Sequence, residues 1–185
     1  MSELEIKIEK DIKNILKEER YKHSIGVMEM AEKLANYYGL DKQKARVVGL
    51  AHDIAKEMTW EEVCIYIKEN NIKLTKLEEE NRQLIHSRLG ADICKKRYSF
   101  DKQMANAILY HTTGNPNMDM FAKVIFMADK IEKNRDYEGI EKRRNLAFEN
   151  IDKAIIDVIN SVTLKCIKRG LVIHPDSIKT RNSLL

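Results

Sequence analysis

The sequence predicts an all-α protein that folds as a single domain, a helical bundle. Apolar residues recur at spacings of three and four rather than two along most of the chain, which is the period of an amphipathic helix. Only two prolines and seven glycines interrupt the 185 residues. With 43% hydrophobic residues and no internal repeat or low-complexity tract, the chain is expected to bury one sizeable core.

The helices follow one another with recognisable starts and ends. Gly39 suits the left-handed position after the second helix, and Asp41 can cap the third. Thr59 with Glu62 forms a capping-box pattern, which recurs at positions 75 and 78, and Gly170 would end the last long helix. The first helix carries an apolar stripe at about 8–16, the second opens at His23 with a stripe at 27–38, and the third follows Asp41 with a stripe at 47–54. Further helices are expected at about 89–97, 102–110, 120–132 and 143–169, with two more opening at the capping boxes.

The charge and cysteine content exclude several classes of protein. The 33 basic and 29 acidic residues give a net charge of +4 and alternate along the chain, which argues against nucleic acid as a partner. No apolar run approaches the roughly 18 residues of a membrane span, and the N-terminal MSELEIKIEKDIK lacks the apolar core of a signal peptide. Cys64, Cys94 and Cys166 form no CxxC pair, which disfavours a disulfide framework or a thiolate zinc site and indicates a cytoplasmic protein.

Four of the five histidines stand beside apolar helical positions, and two aspartates share that setting. A lone histidine there is ordinarily a satisfied core or surface residue, but four together favour a shared site. Burying an unpaired imidazole or carboxylate costs about 1–3 kcal/mol or more, so these groups need partners. Imidazole and carboxylate without thiolate suit iron, manganese, zinc or nickel. The six candidate ligands are His23, His52, Asp53, His86, His111 and Asp129.

These six residues lie on five segments, as a helical bundle requires to close a cavity around one or two ions. His52 and Asp53 are expected inside the third helix. Neighbouring helical residues point about 100° apart, so the pair would flank an ion in the groove between two helices. The sequence therefore predicts an inter-helix metal site, although the spacing alone is less specific than a motif such as HExxH.

The order His, His-Asp, Asp, with added histidines, resembles the HD-domain metal-dependent phosphohydrolases in their two-metal form. The stretches RYKHSIGV, AHDIAK, IHSRLGA, AILYHTTG, FMADKIEKNR and GLVIHPDSIKTRN resemble, more narrowly, the YqeK family of symmetrical bis(5'-nucleosyl)-tetraphosphatases. The resemblance covers nearly the whole chain. One departure is IEKNR, where that family more often has proline and glycine before the arginine, which leaves the direction of Arg135 open.

The resemblance implies metal-dependent hydrolysis of diadenosine tetraphosphate, and of related dinucleoside polyphosphates, to two ADP by a metal-bound hydroxide. It implies that His23, His52, Asp53 and Asp129 hold the first ion, and that Asp53 bridges to a second and orients the water. His86 and His111 would complete the catalytic set by binding that second ion or by donating to phosphate oxygens. The cofactors expected are one or two divalent or mixed-valence ions, iron first, with manganese, cobalt or zinc as alternatives.

Substrate phosphates have several candidate partners. Arg20, Lys56 and Arg135 are either phosphate-binding or solvated surface residues; Lys56 is placed three residues after Asp53, on the same side of the expected helix. Thr112, Thr113 and Gly114 can cradle phosphate, end a helix, or do both. His174, before Pro175, is interpreted as a structural turn residue, and positions 60–80 as scaffold.

Two alternatives remain open. One is another HD phosphohydrolase acting on a nucleoside triphosphate, a cyclic phosphodiester or a guanosine polyphosphate. The other is a non-catalytic, metal-stapled module that binds nucleotide. In each case one domain spans 1–185, with a motif core at about 20–135 and a C-terminal helical part at about 141–185, and a homodimer is compatible with the sequence.

Overall fold

Eleven α-helices and one 3₁₀ turn make up residues 2–185, which the computed structural model describes. That part of the chain contains no β-strand, so the predicted all-α class is confirmed. The helices are α1 (Glu3–Ile15), α2 (Glu18–Tyr37), α3 (Lys42–Ala51), α4 (Trp60–Glu69), α5 (Lys76–Glu80), α6 (Ile85–Tyr98), α7 (Lys102–Tyr110), α8 (Met120–Ile131), α9 (Ile140–Glu149), α10 (Ile151–Lys168) and α11 (Pro175–Ser183), with the 3₁₀ turn at Arg82–Leu84.

Helix α8 is the centre of the bundle and packs against α2, α3, α7, α9 and α10. Nine of its twelve residues are buried, and the three that are not, Met120, Lys123 and Lys130, lie along one narrow stripe. Among the buried residues, Phe126 and Met127 belong to a continuous core that joins α1, α2, α3, α6, α7 and α10. Fully burying a side chain of this size stabilises the fold by about 1.5–3 kcal/mol. Asp129 is therefore placed, through α8, in the middle of the molecule.

Helix α3 ends earlier than the sequence indicates. We expected helix through position 54, but α3 stops at Ala51, and His52 is its C-cap. The imidazole Nδ1 of His52 lies 2.7 Å from the Gly49 carbonyl oxygen, a carbonyl that the helix end leaves free. The chain then continues in tight turns, with the Lys56 amide donating to the Asp53 carbonyl at 2.8 Å. His52 and Asp53 thus lie in a turn, which lets both side chains point into the same interior space.

The helix predicted at 143–169 is in fact two helices, α9 and α10. Asn150 breaks it with an extended backbone, φ −158° and ψ 99°, and its side chain accepts a hydrogen bond from the Lys153 amide. Asparagine is among the best N-cap residues because its side chain competes with the helical backbone for such donors. The apolar spacing continues across the break, which is why periodicity alone misses it.

Two further boundaries differ from the prediction. Helix α6 begins at Ile85 rather than 89, so that His86 lies in its first turn. The turn expected at His174 opens helix α11, with Pro175 in its first turn and the His174 ring accepting a hydrogen bond from the Asp176 amide at 3.2 Å. Proline is tolerated there because the first turn needs no amide donor.

Other features follow the sequence more closely. Both predicted capping boxes are present, at Thr59 and at Thr75. The three cysteines are free. In the described part of the chain, no helix is long and apolar enough to cross a membrane.

Candidate metal centre

Five elements bring the six predicted ligands together in the interior. His23 comes from α2, the His52 and Asp53 pair from the turn after α3, and Asp129 from α8. His86 is in the first turn of α6, and His111 is the C-cap of α7. All six side chains are buried, the most exposed being His23 at 7%. We call this group the HD cluster: His23, His52, Asp53, His86, His111 and Asp129.

Backbone carbonyls fix the orientation of three of these imidazole rings. In each, the Nδ1 atom lies against the carbonyl oxygen three residues earlier in the chain, and a carbonyl oxygen only accepts. The proton therefore sits on Nδ1, and the Nε2 lone pair faces the interior of the cluster, which is the form that binds a metal. The pairs are His52 with Gly49 at 2.7 Å, His86 with Gln83 at 2.7 Å and His111 with Ile108 at 2.6 Å.

The fourth ring, His23, is anchored by a carboxylate instead. Its Nδ1 lies 3.1 Å from Oε1 of Glu132, whose side chain is only 2% exposed. The other carboxylate oxygen of Glu132 accepts the Asn134 amide at 2.6 Å. Gly26, one turn from His23, leaves the space for it, because a Cβ there would lie 2.2 Å from Glu132 Oε2. Glu132 thus orients His23 as the carbonyls orient the other rings.

The inner faces of the cluster bring electron pairs together. His23 Nε2 lies 3.0 Å from Asp129 Oδ1, and His86 Nε2 lies 3.2 Å from both His111 Nε2 and Asp53 Oδ1. Among residues 2–185, His23 Nε2, His52 Nε2 and Asp53 Oδ1 are buried without any hydrogen-bond partner. Unpaired buried acceptors are costly, and a shared cation is the partner that satisfies several of them at once.

Two overlapping triads have the composition and closeness of a metal site. His23, His52 and Asp129 form one, and His52, Asp53 and His111 form the other, with the donor atoms of each within 4.8 Å of one another. The donors are imidazole nitrogen and carboxylate oxygen, and the buried thiol, Cys94, belongs to neither triad. The residues present therefore fit a divalent metal ion.

Burial and neighbouring charges together set the protonation of the cluster, and for Asp53 and His23 they shift the pKa in opposite directions. Burial lowers the pKa of His52 to about 3 and also lowers that of His86, so both rings are neutral near pH 7. Burial by itself raises the pKa of Asp53, but the facing imidazoles, His52 first, outweigh it and hold the pKa well below its usual range. For His23, burial lowers the pKa, while Asp129 and Glu132 raise it by more. A proton and a metal ion therefore compete for the position beside His23 Nε2.

Cationic side chains surround the cluster. Arg20 Nη1 contacts Asp53 Oδ2 at 2.9 Å, and Arg135 Nη2 contacts Asp129 Oδ1 at 2.8 Å, which resolves the direction of Arg135 that IEKNR left open. The helical argument for Lys56 was wrong, since its segment is a turn. Its Nζ nevertheless lies 3.4 Å from both ring nitrogens of His86, and burial lowers its pKa.

The loop after α7 ends that helix and also brings one hydroxyl to the cluster. Gly114 has φ +74°, and its amide donates to the Tyr110 carbonyl at 2.8 Å, so it satisfies a carbonyl that the end of α7 leaves free. Thr112 Oγ1 faces the cluster, 3.2 Å from Nε2 of both His86 and His111. Thr113 points elsewhere; its carbonyl accepts the Ser177 hydroxyl of α11 at 2.8 Å.

Comparison with known proteins agrees with this geometry. The family model for the HD domain matches residues 20–134, a span that contains the whole cluster. The chain belongs to the HD-domain family.

Relatives with the same domain cover nearly the full chain. A protein from Halalkalibacterium halodurans is 39% identical over 94% of this chain and 93% of its own, and one from Bacillus subtilis is 34% identical over 94% of each; both are named symmetrical bis(5'-nucleosyl)-tetraphosphatase. A crystal structure from Clostridium acetobutylicum, described as an HD superfamily hydrolase, is similar with a TM-score of 0.92 and 37% identity, over 97% of this chain and 95% of its own. The likeness thus extends beyond the HD domain to the C-terminal helices.

The sequence analysis missed two residues that contact the HD cluster. Glu132 could have been found from its spacing, since it follows Asp129 by three residues and lies on the same side of α8. Lys130 places Nζ 2.6 Å from Asp129 Oδ2 and 3.3 Å from the His111 carbonyl. Nothing in its sequence context separates Lys130 from a solvated surface lysine.

Proposed function

We propose that this HD protein is a metal-dependent symmetrical bis(5'-nucleosyl)-tetraphosphatase, which hydrolyses diadenosine tetraphosphate to two ADP. The observation that carries the proposal is the convergence of buried imidazole nitrogens and carboxylate oxygens, of which His23 Nε2, His52 Nε2 and Asp53 Oδ1 have no hydrogen-bond partner and a shared cation would satisfy all three. The named activity of the two relatives, which match over more than nine-tenths of both chains, supports this choice of substrate.

The metal ligands we propose are His23, His52, Asp53 and Asp129 for one ion. When bound, metal ions polarise the phosphoryl oxygen and lower the pKa of water from 15.7 to about 7. Iron is the ion we propose first, with manganese, cobalt or zinc as alternatives, because the donors are nitrogen and oxygen without sulfur.

His86 and His111 are proposed as ligands of a second ion rather than as donors to phosphate. Both keep their proton on Nδ1, bonded to a carbonyl, so Nε2 has no proton to donate in the neutral ring. Burial lowers the pKa of His86, which disfavours the doubly protonated form. Both Nε2 atoms also face Asp53 Oδ1, at 3.2 and 3.4 Å, while Oδ2 faces His52 and Arg20. Asp53 therefore has one oxygen for each half of the cluster.

In the reaction we propose, Asp53 orients the attacking water and accepts its hydrogen bond. The water oxygen forms a bond to one of the two central phosphorus atoms, and the bond from that phosphorus to the oxygen it shares with the other central phosphorus breaks, in line with the attack. One ADP departs with the bridging oxygen, and the other gains the oxygen of water. We propose that Arg20, Lys56 and Arg135, with Lys130, neutralise the phosphates and that Thr112 donates to a phosphoryl oxygen, because each of them contacts a residue of the cluster. For Thr113 and Gly114 we propose the supporting role of shaping that loop.

The first test is a product assay. Protein purified without chelator and supplied separately with iron, manganese, cobalt or zinc is incubated with diadenosine tetraphosphate, and the products are resolved by ion-exchange chromatography. We expect ADP as the sole product of the wild-type protein and no ADP formation by the His52→Ala variant. AMP with ATP would mean asymmetric cleavage, and no turnover with any metal would reject the proposal in favour of another phosphate ester or a binding module.

A matched pair of aspartates tests the metal site without relying on turnover. Asp53→Ala is expected to lose bound metal while keeping its helical circular dichroism, whereas Asp136→Ala, at an exposed position, keeps both. Equal metal content in the two variants would overturn the assignment of Asp53.

We also propose a cytoplasmic location, supported by the three free cysteines. The domain limits, with a motif core at about 20–135 and a C-terminal part at about 141–185, and a homodimeric state remain predictions. Limited proteolysis tests the first and sedimentation tests the second.

A further inference from the structure

We propose that a cavity beside the HD cluster binds one nucleoside end of the substrate, and that the second nucleoside stays outside it. The inference rests on the proposed function and deepens it. The cavity has a volume of about 690 Å³, within the range of pockets that hold small organic ligands. It lies between α8, α10, the segment before α11 and the stretch at 77–84, so part of the region interpreted as scaffold lines it.

The cavity meets the cluster through two residues. Thr112 and Lys130 both line it, and both also contact cluster residues: Thr112 Oγ1 lies 3.2 Å from His111 Nε2, and Lys130 Nζ lies 2.6 Å from Asp129 Oδ2. A ligand that fills the cavity therefore has its nearest anionic group beside Lys130 and the cluster. This arrangement suits a nucleoside polyphosphate that enters base first and leaves its phosphates on the cations.

The walls of the cavity are mainly aliphatic, and several of them are exposed. Val162, Leu171 and Val172 are 51%, 56% and 62% exposed and stand together along the cavity, with Phe126 and Ile159 behind them. Clustered exposed apolar side chains are a mark of a ligand groove rather than of ordinary surface. A flat aromatic base covers such a wall, while Gln83 and Thr163 offer polar atoms to the base or sugar.

The part of the cluster contacted by Arg20 and Arg135 is charged rather than apolar. Arg20 and Arg135 contact cluster carboxylates but do not line the cavity, and their side chains are 32% and 36% exposed. The departing half of the substrate is therefore held through its phosphates, and its nucleoside contributes little to binding.

A substrate series tests this asymmetry on the metal-loaded wild type. Diadenosine tetraphosphate, adenosine 5'-tetraphosphate and inorganic tetraphosphate carry two, one and no nucleosides on the same phosphate chain. We expect KM for the first two to agree within about threefold, and KM for the third to be at least about tenfold higher, because only the first nucleoside fills an apolar site. A large rise already on losing the second nucleoside, or no rise on losing both, would overturn the proposal.

A matched pair of variants on α10 tests the location. Val162→Asp places a carboxylate in the cavity, while Leu164→Asp places one two residues along, where the side chain is 58% exposed and points about 200° away around the helix. We expect Val162→Asp to weaken ADP binding, measured by calorimetry on the metal-loaded protein, by at least about tenfold. Leu164→Asp should leave it unchanged.

The two failures are distinguishable. ADP binding requires no turnover, so the comparison still decides the cavity if diadenosine tetraphosphate proves not to be hydrolysed, in which case the proposed function alone fails. If the product assay succeeds but both aspartate variants bind ADP as the wild type does, or are weakened equally, the nucleoside site is wrong and the proposed function stands.

Discussion

Gly26→Ala is the variant that most directly tests how the fold holds its metal centre. The added Cβ would lie 2.2 Å from Glu132 Oε2, whereas ordinary contact begins at 3.4 Å. Oε2 must therefore shift by about 1.2 Å, and because Oε1 belongs to the same carboxylate, we expect the shift to break the 3.1 Å contact between Oε1 and His23 Nδ1. His23 would then lose the group that fixes its ring.

The size of the effect follows from that lost contact. Removing a residue that hydrogen-bonds to a metal ligand lowers metal affinity by about 10–100-fold. A hydrogen bond that involves a charged group contributes about 1.5–3 kcal/mol. The two magnitudes agree, because a tenfold change in affinity corresponds to about 1.4 kcal/mol. We expect Gly26→Ala to weaken metal binding within that range, measured by competition against a chelator.

Gly90→Ala provides the matched control. It is also a glycine inside a helix, but its Cβ would meet only ordinary contacts, the nearest being Ile108 Cγ2 at 3.4 Å. Alanine is favoured over glycine in a helix by about 0.8–1.0 kcal/mol, so this variant should be as stable as the wild type or more so, with unchanged metal affinity.

A double-mutant cycle separates the mechanism from general damage. In a Glu132→Ala background the clash has no partner, so Gly26→Ala should have little further effect on metal affinity. The reasoning is refuted if Gly26→Ala binds metal as tightly as the wild type, or if its effect is undiminished when Glu132 is already alanine.

Three other predictions concern stability. Glu5 is fully buried, and its pKa is lowered chiefly by Arg46. Its stabilising contribution is therefore present above its unfolded pKa near 4.5 and is lost as pH falls through the lower folded value. Glu5→Gln should lower the free energy of unfolding by about 1–3 kcal/mol at pH 7, and in urea titrations its stability should depend less on acid below pH 4.5. Gly114 and Gly170 both have positive φ, so alanine should cost about 1–2 kcal/mol at either position. Gly114→Ala should lower Tm more than Gly170→Ala, because only at Gly114 would the Cβ meet another atom closely, Thr180 Oγ1 at 2.9 Å. Equal losses of Tm would contradict this. Asn150→Ala should cost about 0.5–2 kcal/mol by removing the cap of α10, whereas Asn150→Asp should retain most of the stability, and thermal unfolding of the three proteins compares them.

The sequence was informative wherever the physics is local. Helix existence follows from apolar spacing, and the starts at Thr59 and Thr75 follow from side chains that bond amides three residues away. The break at Asn150 and the early end of α3 were missed, because the apolar period continues through both. At each of these positions a single residue ends the helix, although the spacing of the surrounding apolar residues predicts that it continues.

By itself, then, the sequence determined the all-helical class and a set of histidines and aspartates too apolar in their surroundings to be ordinary surface residues. The tertiary structure decided which nitrogen of each ring faces inward, which oxygen of Asp53 serves which half of the cluster, and that Glu132 and Lys130 belong beside it. It also placed an apolar cavity against Thr112 and Lys130. These depend on contacts between segments distant along the chain, and a spacing pattern carries information only about neighbours on one helix.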